Sequence, residues 1–125
     1  MENINLYAGW IGILLGFVAG AVTGMFFYKE DWLGGYSSWP RRMIRLGHIA
    51  FFGIGFINLV YGLTLNALNL PGYPITSIML IVGAVSMPVV CYLSAYKMIF
   101  RHLFFIPVVS LILGVGIFLY GVLFE

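Results

Sequence analysis

The sequence predicts an all-α integral membrane protein: a four-transmembrane-helix up-down bundle with short loops and both termini outside. Three observations predict it. The chain of 125 residues is 62% hydrophobic and 8% charged, with a mean hydropathy of +1.06, whereas a soluble domain carries about 25% charged residues. Four apolar runs, each long enough to cross a hydrocarbon core of ~30 Å, are separated by short polar connectors. All six Lys and Arg residues fall within or beside two of those connectors. A chain of this length accommodates four spans without a separate soluble domain, so 1–125 reads as a single membrane domain.

The first span is expected over about 7–28. It contains GWIGILLGFVAGAVTGMFF, in which Gly12, Gly16, Gly20 and Gly24 recur every fourth residue and Gly9 stands one turn earlier. In water each interior Gly costs a helix about 1 kcal/mol relative to Ala. In a bilayer the helix persists, because its backbone N–H and C=O groups must be paired internally. The glycines leave a groove without side chains, which another helix backbone or the edge of a flat apolar ring can enter. Each four-residue step advances about 400°, so the groove drifts slowly round the helix and favours a right-handed crossing of roughly −40°. The leading MENINLY has no Lys or Arg and so lacks the basic start of a signal peptide. The first run is therefore read as a retained helix.

The connector KEDWLGGYSSWPRR breaks the helix at Gly34-Gly35 and Ser37-Ser38. Its Trp32, Tyr36 and Trp39 suit a membrane interface, and Pro40 suits the first turn of the next helix. Span two is expected over about 42–67. Near its middle stands Asn58, read as a helix-packing residue that bonds across to a neighbour, a contact worth about 0.6 kcal/mol on average. The turn Pro71-Gly72-Tyr73-Pro74 is short and makes spans two and three a tight antiparallel pair. Span three, about 75–96, carries Pro88 in its interior, where proline removes a backbone hydrogen bond. Span four is expected over about 102–124, with Pro107 one turn in.

Charge sets the orientation. Lys29, Arg41, Arg42 and Arg45 surround the first connector, and Lys97 and Arg101 the third. The positive-inside bias puts both in the cytoplasm and both termini, with Glu2 and Glu125, outside. A bacterial inner membrane is the expected location.

No carboxylate lies within any span. Ion-coupled transporters typically need an ionisable group at membrane depth. The small multidrug transporters are similar in length and helix number but place a Glu in the first helix, where this chain has Gly and Ala. A transporter or channel is thus the weakest reading, and no catalytic residues or metal ligands are assigned. A single cysteine, Cys91, excludes an intramolecular disulfide and a Cys-only metal site.

The two histidines offer the one constellation with chemistry. His48 follows Arg45 by three residues, and His102 follows Arg101 directly. Spans two and four would start at the same face and be diagonal partners across a bundle. The arrangement resembles a bis-His haem b site, with His48 and His102 as axial ligands and Arg45, Arg101, Arg41 and Lys97 near the propionates. A quinone beside His48 is a further candidate ligand. The alternative is plainer: an interfacial His beside Arg is at home among headgroups and needs no cofactor. The leading expectation is a small accessory subunit packing within a larger membrane complex, a respiratory or other redox assembly. Its partners would be the bilayer and other membrane subunits, not nucleic acid. The bis-His haem b protein or membrane anchor is the second reading.

Overall fold

The computed structural model describes residues 3–125, so Glu2 lies outside the described residues. Four α-helices account for most of them: α1 (Ile4–Phe27), α2 (Trp39–Ala67), α3 (Pro74–Tyr96) and α4 (Phe105–Phe124). Two 3-10 helices, Trp32–Gly34 and Met98–Phe104, lie in connectors, and no strand occurs among the described residues. All four helices are long and apolar enough to cross a bilayer, the fourth counted from Met98. The protein is a multi-pass integral membrane protein.

Local chemistry explains where the helices begin and end. α2 starts at Trp39, ahead of the expected 42, because the Ser38 hydroxyl accepts the Arg41 backbone N–H at 3.4 Å and Pro40 occupies the first turn. Its 29 residues span ~44 Å, so it reaches through the core into the interfacial zones. It ends where Asn69 takes a left-handed φ of 51°. There the Leu70 N–H bonds the Leu65 carbonyl at 2.9 Å and the Asn69 N–H bonds that of Asn66 at 3.3 Å, which satisfies two carbonyls left over at the helix end. α4 begins at Phe105 rather than 102, since Met98–Phe104 is wound as a 3-10 helix directly before Pro107.

Contacts fix the neighbours. Along α1 and α2, Leu6 lies against Gly62 and Gly20 against His48, so the two run antiparallel. α3 opposes α2 in the same way, from the Asn58–Leu80 hydrogen bond at one end to Gly47 against Cys91 at the other. α4 returns along α3, with Leu111 at Gly83 and Tyr73 at Gly121. α2 and α3 thus form the central pair, and α1 and α4 flank it. α1 also touches α3, and α4 reaches α2 through Phe118, whose ring meets that of Tyr61 edge-on at 5.1 Å. Tyr61, Leu65 and Leu80 are the centre of the core beside Leu111 and Phe118. The outer helices turn large apolar side chains outward, among them Trp10, Phe17, Ile112 and Leu123, each more than 60% exposed.

The basic connectors meet at one end. The Trp39 indole N–H donates to the Ser94 carbonyl at 2.8 Å, tying the start of α2 to the end of α3. Arg41, only 4% exposed, donates to the Phe27 carbonyl at 3.0 Å and the Glu30 carbonyl at 3.2 Å. Its guanidinium lies 4.8 Å from the centre of the Phe27 ring. A cation is favoured there because the carbonyl end of α1 carries partial negative charge.

Candidate functional site: a three-helix polar tie and a lateral groove

Asn58 is fully buried and bonds in three directions. Its amide donates to the Ile54 carbonyl of its own helix at 3.0 Å and to the Leu80 carbonyl of α3 at 3.2 Å. Its carbonyl oxygen accepts from the Asn5 amide of α1 at 2.7 Å. Asn5 in turn donates to the Ser77 carbonyl at 3.4 Å and accepts from the Ser77 hydroxyl. One network therefore joins α1, α2 and α3 at the end remote from the basic connectors. Both buried amides have every donor occupied, the condition under which a polar cluster is tolerated in an apolar core. Beside it the Tyr61 hydroxyl donates to the Tyr73 carbonyl and accepts the Tyr73 N–H, both at 3.2 Å, which ties the short turn to α2.

Asn5 is the residue that sequence reasoning missed, because the first span was expected to begin at 7. A signal for it existed. One four-residue step back from Gly9 along the glycine ladder lands on Asn5, and the buried stripe of α1 is Asn5, Gly9, Ile13 and Gly16.

The glycine ladder faces α2. A Cβ placed on Gly9 would stand 2.7 Å from the Gly55 carbonyl oxygen, and one on Gly12 would stand 3.2 Å from that of Phe51. At Gly16 it would meet the Phe52 ring at 2.8 Å, and at Gly20 the Nε2 of His48 at 2.5 Å. Gly24 has nothing within 4 Å. The first four positions are filled by backbone and ring atoms of the same chain.

The two histidines stand in different surroundings. His48 points at α1, with Nε2 against Gly20 and its ring edge-on to Phe52 at 5.2 Å. His102 is exposed, on the 3-10 helix that packs on α3 and α4. The 3-10 winding, where an α-helical start was expected, turns it out beside the exposed Arg101. Arg45 is stacked on Tyr36, 4.0 Å from the ring centre. The bis-His haem b expected from His48, His102, Arg45 and Arg101 remains the second reading, with His48 between α1 and α2 and His102 at the surface. Among the described residues no three His, Cys, Asp or Glu side chains cluster as a metal site. Cys91 is fully buried, with its Cβ against Gly47.

A groove of about 640 Å³ lies between α1 and α3. Its walls are Ala8, Ile11 and Leu15 of α1 and Val85, Pro88, Val89 and Tyr92 of α3, and its floor is Phe51 of α2. The volume is within the range of sites for small apolar molecules. The Tyr92 ring lines the wall, and its hydroxyl is buried without a hydrogen-bond partner in the chain. No protein-family model, curated protein or solved structure matches this chain.

Proposed function

We propose that the protein is a small accessory subunit of a larger membrane complex. In this reading it is an up-down four-helix unit with both basic connectors in the cytoplasm and both termini outside. The observation that carries the proposal is how the chain divides its side chains. Four polar side chains within the helices, Asn5, Asn58, Ser77 and Tyr61, bond to other segments of the same chain. What α1 and α4 present outward is large and apolar. Such a molecule supplies shape and apolar surface to its neighbours. The lack of a carboxylate within any span argues against ion-coupled transport. A respiratory or other redox assembly is the first setting in which to look for it.

Photo-crosslinking tests the reading. A photoreactive residue at Ile112 or Trp10, on the outward faces of α4 and α1, should give a protein adduct of one discrete mass in native membranes. The same group at the buried Leu80 should give none. Lipid adducts alone from both outward positions would overturn the proposal.

A further inference from the structure

We infer that the groove between α1 and α3 holds one acyl chain of an acidic phospholipid drawn from the leaflet at the basic end. The groove is closed at one end and open at the other. Asn5 and Ser77 join α1 to α3 about one turn beyond Ala8 and Ile81, where the groove stops. Further along, α1 follows α2, with Gly16 on Phe52 and Gly20 on His48, and the α1–α3 gap exposes Phe51. A transmembrane helix, which needs the whole ~30 Å of the hydrocarbon core, cannot lie in a groove that ends at this tie. From Ile81 to Leu93 the groove runs ~18 Å along α3. One leaflet contributes about half of a ~30 Å core, so a single acyl chain matches the length.

The open end carries the complementary charge. One helical turn past Leu93, the α3 wall reaches the exposed Lys97, and Lys29 follows α1 at the same end. All six basic residues of the protein lie at this end, against two acids, Glu30 and Asp31. Tyr92 stands five residues before Lys97, ~7 Å deeper by helix rise, which is about the thickness of the interfacial zone. At that level Tyr92 contributes its ring to the groove wall, while its hydroxyl is buried and the ring tip lies against Gly47 of α2. A neutral molecule with a similar tail, such as a quinone, would fill the groove but leave the basic end unmatched.

Native mass spectrometry tests this on the full chain, reconstituted in vesicles of equal parts phosphatidylcholine and phosphatidylglycerol and then exchanged into detergent. The wild type should retain one phosphatidylglycerol in preference to phosphatidylcholine. Lys97→Gln should lower that preference about fivefold, the weight of one basic residue at an anionic surface, and Arg101→Gln, away from the groove, should leave it nearly unchanged. Val89→Trp, an exposed wall position, should abolish retention, while Val122→Trp on α4 should not. Helical content by circular dichroism separates a filled groove from a misfolded variant, and the exposed Lys97 keeps the test open if Val89→Trp misfolds. Equal retention of both lipids, equal losses in K97Q and R101Q, or lipid retained in a folded V89W protein would each overturn the inference.

Discussion

Substitution of Gly9 by Ala isolates the contact on which the α1–α2 seam depends. The added Cβ would stand 2.5 Å from Leu59 Cγ and 2.7 Å from the Gly55 carbonyl oxygen. Leu59 can rotate away, but the carbonyl belongs to the α2 backbone and cannot. Ordinary contact begins at 3.4 Å, so the helices must separate by about 0.7 Å. Asn5 lies one turn away, and its bond to the Ser77 carbonyl is already 3.4 Å long, so the separation strains the tie as well. Overpacking of this kind costs typically 1–3 kcal/mol, which exceeds the ~1 kcal/mol that Ala gains over Gly in an exposed helix. Gly24→Ala is the matched control, because it meets nothing within 4 Å and should be stabilised by up to about 1 kcal/mol rather than destabilised. Unfolding by sodium dodecyl sulfate in mixed micelles, followed by circular dichroism, measures both. Gly9→Ala should unfold at a distinctly lower detergent fraction than wild type. Coincident curves for Gly9→Ala and Gly24→Ala would refute the seam.

Three further outcomes follow from the same geometry. Asn58→Ala should destabilise by about 1–3 kcal/mol, since it leaves the Asn5 amide without its partner in an apolar core, and a double-mutant cycle with Asn5→Ala should be non-additive by at least about 0.5 kcal/mol; additive losses would mean the two amides act separately. Arg41→Gln should lower stability by about 1–2 kcal/mol through loss of the α1 carbonyl cap, while Arg42→Gln, an exposed neighbour, should melt like wild type. For the proposed orientation, single-cysteine labelling in a Cys91→Ala background should leave Ser37→Cys protected from an impermeant outside reagent and label Gly72→Cys; the reverse pattern would invert the topology.

The four spans were legible because length, hydropathy and the sparse charges all point to one answer. The glycine face of α1 was legible from Gly9 to Gly20, since a four-residue period defines one helix face whatever it packs on, but Gly24, expected on the same face, meets nothing within 4 Å. What covers that face was not legible, because periodicity on one helix carries no information about its partner. That partner is Gly55, Phe52 and His48 of α2. The surroundings of the two histidines were not legible for the same reason. Equal depth was inferred from their places in spans two and four, but depth does not set azimuth. Azimuth at His102 was decided by a 3-10 winding that the sequence KMIFRHLF does not announce. Asn58 stood out as an amide in an apolar run, whereas Asn5 was hidden among the polar residues of MENINLY, where an amide draws no notice. The Arg41 cap was similarly masked. One of three arginines beside a connector reads as a charge facing headgroups, and only the packed helix ends turn it inward to Phe27 and Glu30.

The claim that this chain works as one part of a larger membrane complex is tested most directly by the composition of the particle that contains it. Membranes holding the protein at its native level would be solubilised into polymer-bounded discs, and the particle sized and its polypeptides counted. The account predicts a particle well above the 13.9 kDa of one chain, with other membrane polypeptides at a fixed ratio that survives a second purification step. A particle containing this chain alone, as a monomer or as copies of itself, would contradict it.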